Sequence, residues 1–230
     1  MSLILLLSSC SKNKKETFER QSDFSNSSQV QVHITMMNAA RNYVYLDGKP
    51  LTGALMSTGS IFPSGAYASS IPGGIRSFLV RDTITTTTQV PLNFAENLQF
   101  GYNYTIFIYD TITTPKQKTV QTNIVIPSDT SSRIRFANFV YAPFAVPAVD
   151  VYSFNRQANI FTNIAVTDVT NFIPYPSNLL TDTLYVRETG TMNQLLKTTI
   201  TGGLGPKRSY TYVYRGSHRG TKLSTLFSNN

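Results

Sequence analysis

Apolar and polar residues alternate from Gln29 to Met36, with Val30, Val32, Ile34 and Met36 set against Gln29, Gln31, His33 and Thr35. That is the two-residue period of a half-buried strand. Asn42 to Leu46 predicts a second strand, running into Asp47-Gly48, a strong hairpin-turn signal. Glycines and prolines punctuate the stretch from Gly53 to Gly74, and a further strand follows over Arg76 to Arg81. In Tyr104 to Tyr109 both alternating faces are apolar, which predicts a central strand covered on each side. A strand from Thr119 to Ile126 ends at Pro127, and Ser128 to Ser132 reads as a short polar linker. No long window places apolar residues at helical spacing, so the chain reads as all-β, with short strands and turns of the sandwich or barrel kind.

The pattern occurs twice. Tyr104-Thr-Ile-Phe-Ile-Tyr109 reappears in character as Tyr210-Thr-Tyr-Val-Tyr-Arg215, Phe78 to Asp82 as Leu184 to Glu188, and Lys118 to Gln121 as Ser224 to Phe227, all at one offset of 106. Arg133 to Asn138 matches His33 to Asn38 at an offset of 100, so six extra residues are expected around Tyr141 to Pro147. Two domains result, residues 30–127 and 132–230, each near the common domain size and each expected to fold alone.

The second copy carries an Arg-Ile-Arg strand (Arg133 to Arg135) with Asn138, then Pro147-Ala-Val-Asp-Val-Tyr152, a turn-rich middle, Leu184-Tyr-Val-Arg187, and a Gly-rich turn into Tyr210-Thr211. This order resembles the domain-of-unknown-function family numbered 4397, which recurs in tandem in bacterial envelope lipoproteins. The resemblance spans most of Arg133 to Gly216; the first copy lacks the Pro-Ala-Val-Asp core and keeps only Asn42-Tyr-Val-Tyr45 there. It implies two tandem immunoglobulin-like β-sandwiches and brings no catalytic residues.

At the N-terminus, Leu3 to Leu7 is apolar and leads into Leu7-Ser-Ser-Cys10, which resembles a lipobox whose cysteine is acylated. The run is too short to span a bilayer and lacks a preceding Lys or Arg, so residues 1–9 are expected to be a partial lipoprotein signal whose true start lies upstream. Cys10 is the only cysteine, and an exported chain with one cysteine forms no intramolecular disulfide. Residues 10–29, rich in Ser, Asn and Lys, read as a flexible tether between a bacterial membrane and the first domain. The outer membrane is expected, with the periplasmic and surface faces both open, because Lys12, Lys14 and Lys15 stand where some surface lipoproteins carry acidic residues.

Motifs for chemistry are sparse. His33 lies in an alternating strand and His218 in a basic segment; both are expected to face solvent, and neither has a companion at metal-ligand spacing. Gly202-Gly-Leu-Gly205 lacks the Lys-Ser/Thr ending of a phosphate loop and reads as a hairpin turn. Asp82 and Glu188 end equivalent strands, which suits a shared scaffold role better than a catalytic pair. No cofactor is implied, and export argues against a nucleic-acid role. Asp82-Thr83-Ile84, Asp110-Thr111-Ile112 and Asp182-Thr183-Leu184 resemble the Asp-Thr-aliphatic acceptor of a periplasmic O-glycosylation system, making Thr83, Thr111 and Thr183 candidate acceptors against the alternative of chance triplets in a Thr-rich β protein.

Charge is the remaining signal. Between Arg133 and Asn230 ten Lys and Arg face four acids, ten minus four giving +6 of the chain's net +8. Lys207, Arg208, Arg215, Arg219 and Lys222 crowd its end as candidate ligands for an anionic partner, the alternative being a solvated rim. The expected function is a non-catalytic binding or structural module of the envelope, for anionic glycan. Two alternatives stand beside it: an accessory subunit docking on an outer-membrane complex, and a hydrolase with an inter-domain site.

Overall fold

A computed structural model describes residues 26–229, so Cys10 and most of the expected tether lie outside the described residues. It shows seventeen strands and no helix among them. Four sheets are stacked. The outer sheet of the first half orders β3 (Lys49–Pro50), β2 (Asn42–Leu46), β6 (Gly74–Asp82) and β7 (Leu92–Leu98). Its inner sheet orders β4 (Ile61–Phe62), β1 (Ser27–Ile34), β8 (Asn103–Tyr109) and β9 (Lys116–Gln121), with β5 (Ser69–Pro72) also on β1. The second half repeats this with an inner sheet β13 (Ile173–Tyr175), β10 (Ser132–Tyr141), β16 (Ser209–Ser217), β17 (Lys222–Ser228), and an outer sheet β12 (Ala158–Ile164), β11 (Val149–Ser153), β14 (Thr181–Glu188), β15 (Gln194–Thr201).

The all-β sandwich read from the alternation is the architecture found. Asp47 and Gly48 take φ of 48° and 79°, the left-handed pair that a two-residue hairpin needs. Within the inner sheets the first strand of each half runs parallel to the second last, β1 to β8 and β10 to β16, while the neighbouring pairs are antiparallel. Pairing also refines the repeat. Tyr104 and Tyr210 each accept a backbone N–H from five residues upstream, Gln99 at 3.0 Å and Gly205 at 2.9 Å, which supports the offset of 106 for β8 and β16. Val30 then pairs with Tyr104 as Ile134 pairs with Tyr210, which puts β1 and β10 at an offset of 104, not 100. The next strands, β2 and β11, align at 107, so three residues enter between them and not six. Shared Asn residues suggested the alignment by identity; the backbone ladder decides it.

Three cores hold the stack. Val30, Val32, Ile34, Val44, Phe78 and Ile106 fill the first sandwich, and Ile134, Phe136, Val151, Leu184, Val186 and Tyr212 the second. The third lies between the two inner sheets: Phe107, Ala137, Phe139, Val213 and Phe227 are all buried, with Ile61, Tyr109, Val120 and Val169 packed against them. Phe107 stacks on Phe139 at 4.5 Å. The double-sided cover expected for Tyr104 to Tyr109 is thus real, and its second side is supplied by the other half of the chain.

Four expectations are corrected. Ser27 to Gln29 are not tether but the start of β1, paired with Pro72 to Ser70, with Ser27 and Ser28 buried. β9 ends at Gln121, and Val125 and Ile126 are exposed beyond it. Gly202 to Gly205 is not a hairpin turn, since it carries the chain from β15 in an outer sheet to β16 in an inner one. The halves are not two bodies on a linker but share a buried core.

Candidate functional site

Residues of β1, β8, β10 and β16 that point away from their own sandwich meet across the middle of the molecule. His33 was expected to face solvent. It is fully buried, edge-on between Phe107 at 5.9 Å and Phe227 at 5.2 Å, and neither ring nitrogen meets a hydrogen-bond partner in good geometry. Burial first, and then the charge of Arg215, push its pKa down to about 3, the Gly59 backbone pulling weakly the other way. Alternation placed His33 on the polar face of its strand, but that face is covered by protein. His218 is half-buried against Phe144, with centroids at 6.0 Å.

Beside the aromatic core runs a polar seam. Gln31 and Arg135 are equivalent at the offset of 104, and each reaches into the other half. Gln31 donates to the Ser228 carbonyl at 3.1 Å and accepts from Asn229 at 3.0 Å. Arg135 donates to its own Thr211 at 2.8 Å and, across the seam, to Thr105 at 2.9 Å and Thr122 at 3.1 Å. Thr211 in turn donates a hydrogen bond to Asn229 Oδ1 at 2.6 Å, closing the network. Lys118 adds a bond to the Thr167 carbonyl at 2.6 Å.

The candidate cations do not form one cluster. Lys207 and Arg208 are exposed in the turn before β16, joined to the linker through the Lys207 N–H to Ser131 and the Arg208 carbonyl to Arg133. Arg219 and Lys222 lie at the opposite end of β16, with Arg219 over the Phe144 ring at 4.1 Å. Arg215 is withdrawn into the seam, bonded to Thr225 at 2.6 Å, and burial lowers its pKa. A Cβ on Gly59 would lie 2.6 Å from its guanidinium, so glycine there makes the room. The three Thr candidates differ as well. Thr83 is exposed after β6, half-buried Thr111 bonds to Thr113 and Thr114, and Thr183 lies inside β14 facing Thr199.

Sequence reasoning passed over two Tyr–Arg pairs, one on each solvent-facing outer sheet. In β14, Asp182, Leu184 and Val186 point inward, which turns Tyr185 and Arg187 outward beside Tyr152 of β11. Tyr152 and Tyr185 lie 6.3 Å apart, and the Arg187 guanidinium sits 4.1 Å from the first ring and 5.3 Å from the second. The first half repeats the Tyr152–Arg187 contact at matching positions, with Arg81 4.8 Å over Tyr45; its second ring, Tyr43, lies 6.4 Å away on the same strand, and Leu79 stands where the second half has Tyr185. Lys197 pairs with Tyr185 on β15 and adds charge to the second platform. The signal was present in the two Val-Arg pairs at an offset of 106, but which face they occupy needed the sheet.

The inward acids are structural. Asp182 accepts from Ser153, Asn155, Tyr175 and Thr183, and burial chiefly, then this bond, raises the Tyr175 pKa. Asp150 accepts from Asn163, Thr189, Asn159 and Gly190. Among the described residues no three His, Cys, Asp or Glu gather in a way that suits a metal ion.

No family model matches the chain, and no curated protein matches it. Among solved structures, it is similar to a family 41 carbohydrate-binding module from streptococcal virulence factors, described for alpha-glucan recognition. That likeness has 9% identity and a TM-score of 0.29, and covers 88% of this chain and 98% of the other. It is also similar to a family 26 module of Eubacterium rectale Amy13K in complex with maltoheptaose, at 10% identity and a TM-score of 0.28, covering 86% and 95%.

Proposed function

We propose that this is a lipid-anchored protein of a bacterial envelope whose stacked sandwiches act as a non-catalytic binding module for an anionic glycan. The observation that carries the reading is the pair of Tyr–Arg platforms on the two outer sheets. Folding does not require an outward-facing tyrosine, half-buried, beneath a guanidinium, yet both halves hold such a pair at the same place, Tyr45 with Arg81 and Tyr152 with Arg187. Flat aromatic and cationic surface of this kind suits sugar rings bearing negative charge, through stacking and charge-assisted hydrogen bonds. Lys207 and Arg208 at one end of β16, with Arg219 and Lys222 at the other, extend the positive field along the second half and suit a long polymer.

The test is retention of the full chain on immobilised acidic polysaccharide against a neutral one. Retention should favour the acidic matrix and weaken steeply with salt, as screening requires. Replacing Tyr152 and Tyr185 together by Ala should weaken binding by about tenfold, on the basis of about 0.5–1.5 kcal/mol for each lost aromatic contact. Unchanged retention in that variant would end the platform reading.

A further inference from the structure

A cleft of about 490 Å³ opens where the two inner sheets meet, and its lining includes Gln121 and Val120 of β9, Asn171 and Phe172 ahead of β13, and Arg133 and Arg135 of β10. Arg135 is only 2% exposed. Buried arginines are ordinarily matched by a carboxylate, because an uncompensated charge out of water is costly. Here the matches are three neutral hydroxyls, of Thr105, Thr122 and Thr211, and the face of Phe172, whose centroid is 4.8 Å from the guanidinium. No Asp or Glu lines the cleft, and Arg135 forms no ion pair among the described residues. Its Nε and Nη2 are engaged by the threonines, while Nη1 has no acceptor among the described residues. A second cation, Arg133, stands half-buried at the rim, held by Ser131 and the Ser132 carbonyl. The guanidinium is therefore fixed on both sides, uncompensated, and set in the wall of a cleft of ligand size.

We propose that this cleft is an anion site that takes the carboxylate of an acidic sugar residue, with Nη1 of Arg135 and the side chain of Arg133 as its donors. A single carboxylate fits one free edge of a guanidinium. The rest of the lining is divided between amides, Gln121, Asn123 and Asn171, and apolar surface from Val120, Val169 and Phe172. Amides suit ring hydroxyls and the apolar wall suits a ring face, a division that a bare inorganic anion does not use. The site is separate from the Tyr–Arg platforms on the outer sheets and does not depend on them. Its ligand would also supply the charge that the seam lacks, so occupancy should tighten the junction of the two halves.

The experiment titrates the full chain with glucuronate, and with glucose as the neutral control, following binding by calorimetry and the thermal midpoint. Glucuronate should bind saturably and raise the midpoint, and glucose should do neither. Arg135→Met, which keeps an unbranched apolar stem but removes the guanidinium, should weaken glucuronate about ten- to hundredfold, the worth of a hydrogen bond to a charged group. Should that variant fail to fold, Arg133→Gln and Asn171→Ala at the rim should each weaken binding severalfold. The Tyr152→Ala, Tyr185→Ala protein should keep glucuronate binding whatever its retention on polymer. The proposal is overturned if glucuronate and glucose behave alike, if folded Arg135→Met or both rim variants bind as the parent does, or if phosphate or a peptide with a free C-terminus binds more tightly than glucuronate.

Discussion

Lowering the pH should prise the two halves apart at His33. The ring is neutral in folded and unfolded chain alike at pH 7, because its pKa is about 3 when buried and 6.5 when free. Below 6.5 the unfolded chain takes up a proton that the folded chain refuses until about 3, so stability falls as pH falls through that window. With 1.36 kcal/mol for each pH unit, the loss is ~2 kcal/mol by pH 5 and ~4 kcal/mol at pH 3. Phe107 and Phe227 offer the imidazolium nothing to bond to and Arg215 repels it, with only the Gly59 backbone pulling weakly the other way. The assay is denaturant unfolding at pH 7, 6 and 5 for the parent and for His33→Leu. Carboxylates titrate in both proteins, so the difference between them isolates the ring. At pH 7 the variant should be at least as stable, having lost two unpartnered buried nitrogens. Toward pH 5 the parent should lose ~2 kcal/mol more than the variant. Parallel loss in the two would show that His33 is hydrated or paired in solution, and the account of the seam would fail.

Three further outcomes are expected. Residues 26–127 and 132–230, expressed separately, should each be markedly less stable than the whole, or aggregate, since each would expose Phe107 or Phe139 and its polar neighbours; cooperative unfolding of either piece at the midpoint of the full chain would contradict the shared core. Phe139→Ala should cost ~3–5 kcal/mol by denaturant unfolding, the range for truncating a buried aromatic, and a loss under ~1 kcal/mol would mean that the inter-sheet core is loose. Cys10→Ala should move the protein from the membrane fraction to the soluble fraction, since stable anchoring needs several acyl chains; a variant that stays with membranes would remove Cys10 as the anchor.

Strand positions and fold class were legible because alternation is a local property: Val30, Val32 and Ile34 fall on one face of a pleated strand whatever else the chain does. Even the doubly covered strand from Tyr104 to Tyr109 announced itself, since two apolar faces imply two covers. Alternation does not say what lies opposite a polar face. Gln31, His33 and Arg135 occupy positions that in an isolated sandwich would meet water, and are buried only because residues up to 198 positions away close over them. The exact correspondence of the two copies, 104 at the first strand and 107 at the second, likewise follows from which backbone groups bond across the parallel ladders, and identity of residues does not encode it. The basic residues near the C-terminus read from the chain as two groups, Lys207 and Arg208 before one strand and Arg215 to Lys222 after it, and the structure keeps the two ends apart but puts Arg215 inside that nine-residue strand and turns it into the seam. Charge and periodicity are properties of the chain, whereas the cleft at Arg135 exists only where two sheets from different halves meet.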